Sequence, residues 1–556
     1  MSALAASLRE LLPRRADYAG TASGWRRDVL AGATVGIVAL PLALAFGIAT
    51  GLGAQAGLVT AIVAGLVAAV FGGSNVQVSG PTGAMTVVLV PVVHRFGTDA
   101  VLVVGLMAAG LLVVAALLRV GRYLAFVPWP VVEGFTVGIA CIILLQQVPA
   151  ALGVATPEGE NTAVVAWRAV TDAPAHGHLA PMALVALVAL LLVGLPRAHR
   201  SLPASLLAVI AATVAAEALD LSVTRIGALP GSLPLPALPS IATGQLRGLL
   251  PAAFAVAVLA GLESLLSAKV ADGMSDGPPH DPDRELFGQG LANLASPLFG
   301  GMPATGAIAR TAVNVRGGAR TRLAAMVHAV VLLVVVLTAG DLVARIPLAA
   351  LAGVLMVTAA RMVEVHNVRA VLRSTRSDAV VLCVTAAATL AFDLILAVGV
   401  GMAAAAILAL RQIARTAQVT LTSSHELNND EAQALLAEGI LTYRLDGALF
   451  FGAAQRFLTE LTAVTDARVV VLRLPELQVL DATGAQALGE IVAELEHRGT
   501  TVLLKGPRPD HLRVLAATGA LDRLAHRRHL FSDLDEALAH ARAHVARRAE
   551  PLDPAA

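Results

Sequence analysis

Two look-alike interruptions break the apolar stretches of this chain at corresponding places in its two halves. The first reads Phe71-Gly72-Gly73, then Ser79-Gly80-Pro81-Thr82-Gly83-Ala84. The second reads Phe299-Gly300-Gly301, then Pro303-Ala304-Thr305-Gly306-Ala307. Each follows a long apolar segment and opens one shorter than the ~20 residues that a full membrane-crossing helix needs. Broken helices at matching positions of two repeats point to a solute site near the middle of a membrane.

Composition agrees with a chain that lives mostly in lipid. Hydrophobic residues are 57% and charged residues 14%, against about 25% charged in soluble domains. The 40 Lys and Arg nearly balance the 39 Asp and Glu, which argues against a nucleic-acid partner. Trp25, Tyr123 and Trp129 are candidates for an interfacial aromatic belt. Cys141 and Cys383 both lie in apolar stretches and imply no disulfide framework. The stretch from Arg9 to Asp28 is polar and basic without a cleavable signal pattern, and residues 1–27 read as a cytoplasmic tail.

Apolar segments recur at 28–50, 53–72, 80–94, 99–119, 124–149, 178–195, 201–219, 248–271, 285–300, 305–316, 321–340, 346–363, 377–392 and 394–414. Starting inside, the loops after even-numbered segments carry Arg119, Arg122, Arg197, Arg200, Lys269, Arg284, Arg316, Arg320, Arg322, Arg361, Arg369, Arg373 and Arg376. The odd-numbered loops carry only Arg95, Arg168, Arg225, Arg247 and Arg345. This positive-inside bias predicts fourteen crossings with both termini in the cytoplasm. Two sets of seven joined by the connector Pro230 to Pro239 must enter the membrane from opposite sides, which makes an inverted repeat. The transmembrane domain spans 28–415.

Beyond Arg415 the composition turns polar. Residues 416–436 read as a linker and 437–546 as a small cytoplasmic α/β domain, with a frayed tail over 547–556. Strands are predicted at Ile440–Leu445, Arg468–Leu474 and Thr500–Lys505, with helices at Ala453–Leu461, Thr483–Arg498 and Pro509–Thr518. Ser532 and Asp535 mark the start of a last helix.

The interruptions imply a particular chemistry. A helix that begins inside the membrane presents unpaired N–H groups and about half a positive charge. Facing starts at Ser79–Ala84 and Thr305–Ala309 would form a positive cup. Gly80, Gly83 and Gly306 permit close approach to the backbone, and the hydroxyls of Ser79, Thr82 and Thr305 are further donors. Arg310 follows directly; at mid-membrane it costs about 2.5–3.5 kcal/mol and needs a partner. The cup therefore favours an anion. Glu263 is the other costly group, with Ser267 one turn along its face. It can pair with Arg310, carry a proton or help hold a cation.

These residues resemble the SulP family, the sulfate permeases and their solute-carrier-26-like relatives. The resemblance covers roughly 25–545 and rests on Leu40-Pro41-Leu42-Ala43-Leu44-Ala45-Phe46-Gly47, Gly80-Pro81-Thr82-Gly83 and Glu263-Ser264-Leu265-Leu266-Ser267. It continues through Glu285-Leu286-Phe287-Gly288-Gln289-Gly290-Leu291-Ala292-Asn293 and Gly306-Ala307-Ile308-Ala309-Arg310-Thr311-Ala312-Val313-Asn314. It implies a polytopic α-helical membrane protein of 14 transmembrane segments, a 7+7 inverted repeat with core and gate domains moving in an elevator-like shift. By the same resemblance Phe46, Thr82, Gly83, Ala84, Ala307, Ile308 and Arg310 line the pocket, and Glu263 stands where bicarbonate-branch members coordinate sodium. Ile308 offers no hydroxyl for such a site, and Leu42 stands where sulfate-permease-like members often have Gln. The run Asp481-Ala482-Thr483-Gly484 gives the tail the look of a STAS domain, with Asp481 capping a helix and Ala482 at the position that is a phosphorylated serine in anti-sigma-factor antagonists.

The expectation is a secondary transporter of small inorganic anions of the sulfate/bicarbonate class. It would be a homodimer in the inner or plasma membrane, with no cofactor and with H+ or Na+ as the coupling ion at Glu263. Alternatives are an anion channel, a proton-coupled dicarboxylate or nucleobase symporter on the same fold, or a non-transporting sensor. No metal-ligand cluster or nucleophile–base motif marks an enzyme.

Overall fold

A computed structural model describes residues 9–549 apart from 19–20, 123–126, 158, 160, 172–178, 199–202, 229–230, 240–242, 276, 393, 417, 422–428 and 451–466. The expected features at Tyr123, Arg200, Pro230 and Ala453–Leu461 fall outside the described residues, as does the tail beyond 549. The chain divides into two compact units, Met1–Met402 and Ala403–Ala556.

A helix lies over each of the apolar segments read from the sequence. The first unit runs α1 Thr21–Ala49, α2 Ala54–Phe71, β1 Ser79–Gly80, α3 Gly83–Phe96, α4 Thr98–Leu117, α5 Trp129–Gln146, α6 Val148–Leu152, α7 Thr162–Thr171, α8 Leu179–Ala198 and α9 Ala204–Ala218. It continues through α10 Leu246–Met274, α11 Pro282–Leu298, β2 Thr305–Gly306, α12 Ile308–Arg316, α13 Arg322–Thr338, α14 Gly340–Ala344, α15 Leu348–Met362, α16 Val365–Ser374 and α17 Arg376–Ala391, and α18 Leu394–Thr416 runs across the division at Met402. Among the described residues, seven helices are long and apolar enough to cross a membrane. The two that follow the interruptions, α3 and α12, are short, as half-helices should be. Short helices α6, α7, α14 and α16 fill stretches that the sequence left as loops.

Packing sorts these helices into two groups. One holds α1 to α4 with α10 to α13, and the other joins α5 to α7 and to α17, and α15 to α5, α8 and α9. Small residues set the spacing inside the first group. Gly57 of α2 lies against the Ala43 backbone of α1, and Gly32 and Gly36 of α1 lie against Ala324 and Val331 of α13. Without a hydrophobic drive between helices in lipid, such backbone-close contacts supply the dispersion energy that holds them. Arg284, at the start of α11, is paired with Asp17 at 2.6 Å. Asp28 accepts the backbone N–H groups of Arg320 and Thr321.

The second unit carries a sheet in the order β3 (Gln418–Leu421), β4 (Ile440–Leu449), β5 (Val469–Arg473), β7 (Thr501–Lys505), β8 (Leu530–Phe531), with β6 (Leu477–Leu480) also on β4. All pairs are parallel except β3 with β4. Its helices are α19 Asn429–Ala437, α20 Ala482–His497, α21 Pro509–Ala517 and α22 Leu534–Ala549. Side chains alternate across the sheet. Val470 and Leu472 join the cluster containing Leu488 and Leu515, while Val469 and Val471 join Ala537, Leu538 and Ala541 of α22. Asp481 caps α20, accepting the Gly484 N–H at 2.7 Å. The stretch 416–436, read as a linker with its polar run at 421–432 a linker or edge element, contains the edge strand β3 and the helix α19. Its polar composition belongs to an edge strand and a surface helix.

Candidate functional site

The two interruptions meet. β1 pairs antiparallel with β2, Ser79 opposite Gly306 and Gly80 opposite Thr305, and the Ala307 N–H donates to the Val78 carbonyl at 2.9 Å. Immediately after this crossing each chain turns into its half-helix, α3 at Gly83 and α12 at Ile308. Their positive ends are thereby held side by side.

The two helix starts differ in how they are capped. Thr82 caps α3 from an extended conformation, its hydroxyl accepting from the Met85 N–H at 3.5 Å. The same hydroxyl donates to Oε2 of Glu263 at 2.9 Å. Ala307 precedes α12 and has no side chain to cap it. The first α12 residues are the open part of the site: Ile308 is 41% exposed, whereas Ala307 and Arg310 on either side are buried. A helix start that is both uncapped and accessible is a ready anion donor.

Arg310 turns back from α12 onto the other interruption, its Nη2 donating to the Pro81 carbonyl. Its Nη1 is buried and has no hydrogen-bond partner. The guanidinium passes close over Gly80, where a Cβ would lie 2.5 Å from Nη1. On the α3 side, Phe46 and Ile143 crowd the Gly83 Cα, and Ala84 is fully buried. Glu263 is half-buried and, among the described residues, takes its hydrogen bond from Thr82 and forms no close ion pair with Arg310 or Lys269. Carboxylate and guanidinium attract one another over a longer separation.

Ser79 and Thr305, offered to the cup, and Ser267, offered beside Glu263, each have a partner on a neighbouring element. Thr305 donates to the Ala260 carbonyl at 2.9 Å, Ser267 to the Thr311 hydroxyl at 3.1 Å, and Ser79 accepts from Gln289 at 2.7 Å. They fasten the crossing to α10, α11 and α12. The Cβ position at Gly306 is filled by the Gln77 side chain, so that glycine serves packing. For a cation, the oxygens at hand are those of Glu263 and Thr82.

One group to which the sequence reading gave no role, Glu285, holds the first interruption in place. Glu285, 1% exposed, accepts from the Gly73 and Ser74 N–H groups at 2.8 and 3.3 Å and from Gln77 and Gln289 at 3.0 Å each. Ser264 also donates to it. It clamps the first Phe-Gly-Gly turn to α11. The second interruption is fastened by Asn293, bonded to both N–H and C=O of Ala304, and by Thr60, which accepts the Met302 N–H. A carboxylate and an amide four residues apart in an apolar segment were the available signal. A small cavity elsewhere, lined by Gln55, Leu58, Ser232 and Val335, includes none of these residues.

The chain is similar to known proteins over most of its length. The model of the Sulfate permease family matches residues 25–385 and that of the STAS domain residues 431–537. The chain is 34% identical over 524 residues to YvdB of Bacillus subtilis (strain 168), named for sulfate transport, covering 92% of this chain and 97% of that one. It is 31% identical over 508 residues to the bicarbonate transporter BicA of Picosynechococcus, covering 86% of this chain and 88% of that one. The solved transmembrane domain of a cyanobacterial BicA superposes with a TM-score of 0.62 at 31% identity, over 68% of this chain and 97% of that domain. The murine Solute Carrier 26 family member A9 anion transporter, in its inward-facing state, shares the fold over 97% of this chain and 95% of its own, at a TM-score of 0.83 and 16% identity.

Proposed function

The chain belongs to the sulfate permease family, and on that premise we propose that it is a secondary transporter of a small inorganic anion of the sulfate/bicarbonate class. The observation that carries this reading is the buried Nη1 of Arg310, which lacks a partner beside the uncapped start of α12. A guanidinium donor with nothing to bind is costly in a low-dielectric site, and an anion is what it and the α12 N–H groups fit. Arg310 supplies charge, the backbone at 82–84 and 307–309 supplies dipoles, and Phe46 closes the apolar side. The relatives named for sulfate and for bicarbonate set the substrate class.

Movement in this proposal is that of a rigid block. The β1–β2 crossing and the Arg310–Pro81 bond tie both half-helices to α1, α2, α4, α10, α11 and α13, and this group slides as an elevator against the helices packed on α5 and α15. Glu263 is the coupling residue, taking H+ or Na+ as the anion binds. The protein acts as a homodimer with fourteen crossings in the plasma membrane and both termini in the cytoplasm.

The test uses liposomes of purified protein with labelled sulfate, bicarbonate or fumarate, under imposed pH or sodium gradients. Saturable uptake of sulfate or bicarbonate that responds to one gradient is expected. Large unsaturable currents across bilayers, or uptake of fumarate alone, would overturn the assignment.

A further inference from the structure

The C-terminal α/β unit holds a cluster of imidazoles that anion transport does not use. His540 and His544 lie one turn apart on α22, so both project from the same face of that helix. His529 ends the short turn Arg527–His529 that leads into β8. One ligand nitrogen from each lies within 4.8 Å of the others. The ring centroids are 5.5 Å apart for His529 and His540, 5.3 Å for His529 and His544, and 4.8 Å for His540 and His544. Imidazoles bound tetrahedrally to one zinc ion at about 2.0–2.1 Å have centroids about 5 Å apart. The rings therefore already stand at the spacing of a ligand set, and small rotations aim their nitrogens at one point.

The state of these rings supports the same reading. His529 is 1% exposed, with the Val502 backbone beside its ring, and the Nε2 of His540 is buried without a hydrogen-bond partner. Buried polar atoms left unpaired in a packed domain call for a ligand. A neutral imidazole is the form that binds metals. A set of imidazoles without thiolate or extra carboxylate suits zinc, copper or nickel and not magnesium or calcium. His540 and His544 are only half-buried, which leaves a side of the cluster open for a fourth ligand.

We propose that His529, His540 and His544 form a zinc-binding site that ties α22 to the edge of the sheet at β8. His526 provides an internal control. Its ring is 5.5 Å from that of His529 but is not one of the three.

The experiment uses the full chain in detergent, freed of its affinity tag and stripped of metal. Cobalt(II) is titrated first, because a tetrahedral site gives intense visible absorption, and zinc is then added in competition. One saturating equivalent, displaced by zinc, is expected, with affinity falling at least tenfold in His540→Gln and in His544→Gln, disappearing in the double variant and unchanged in His526→Gln. Zinc should also raise the melting temperature of the wild type and of His526→Gln but not that of the double variant. The far-UV dichroism of the metal-free double variant should match the wild type. Absence of a saturable cobalt band in the wild type, or wild-type binding by the double variant, overturns the site.

Discussion

The Thr82 hydroxyl donates to Glu263 at 2.9 Å while accepting from the Met85 N–H, so the cap of α3 and the half-buried carboxylate of α10 share one side chain. If Glu263 takes the proton or cation as proposed, a change there is felt at the start of α3. Replacing Thr82 with Val keeps the shape but removes both bonds. Loss of the cap costs about 1 kcal/mol and the unsatisfied carboxylate about 1–3 kcal/mol. We expect Thr82→Val to lower the melting temperature and to uncouple uptake from the imposed gradient, and Thr82→Ser to behave as wild type. Glu263→Gln should keep anion binding and lose gradient dependence; retained dependence would remove the coupling role.

Arg310 reaches across the crossing with a planar fork, one arm on the Pro81 carbonyl and the other unpartnered. A lysine carries the charge but not the two-armed geometry. Arg310→Lys should therefore reduce uptake at saturating anion only a few-fold less than Arg310→Ala, which should abolish it by a factor of about 100, the equivalent of about 3 kcal/mol of lost charge-assisted bonding. Initial rates in liposomes decide it. Full activity of Arg310→Ala would remove the arginine from the anion site.

Much of this fold was legible because the signals were long. Some twenty apolar residues in a row leave little besides a helix to form, and the half-helices at Gly83 and Ile308 were marked by the glycines before them. What the sequence did not yield was the direction of single hydroxyls. Thr305 beside the cup and Ser267 beside Glu263 each donate to a neighbouring helix, and Ser79 takes a bond from Gln289; a rotation of less than half a turn separates a hydroxyl aimed at a ligand from one aimed at a helix. Glu285 was hidden for a related reason. A polar residue in an apolar segment looks the same whether it meets a ligand or, as here, the Gly73 and Ser74 backbone.

That clamp gives a separate prediction. Glu285 gathers donors from Gly73, Ser74, Gln77, Ser264 and Gln289 with almost no exposure. Removing the acceptor strands several buried donors, each costing about 1–3 kcal/mol. Glu285→Ala should thus fail to accumulate as folded protein, seen as loss of the monodisperse peak in detergent chromatography. Any folded fraction should keep the anion affinity of the wild type, since Glu285 does not face the cup. A well-folded variant with weakened anion binding would place Glu285 in the site instead.

The α/β unit should lose stability in mild acid. His511, at the start of α21, is 5% exposed; burial and then Arg508 lower its pKa from the ordinary value near 6.5, against the pull of Asp510. Below that value the unfolded chain binds a proton that the folded domain refuses. The stability is therefore complete above pH 6.5 and is lost as pH falls toward the depressed folded value, by at most about 1.4 kcal/mol per pH unit for one such group. His529 and His540 shift in the same direction. Melting of the domain between pH 7.5 and 5.5, followed with chelator present, should show this decline, and His511→Gln should make it shallower. An unchanged slope in His511→Gln would mean that the imidazole is protonated in the folded domain after all.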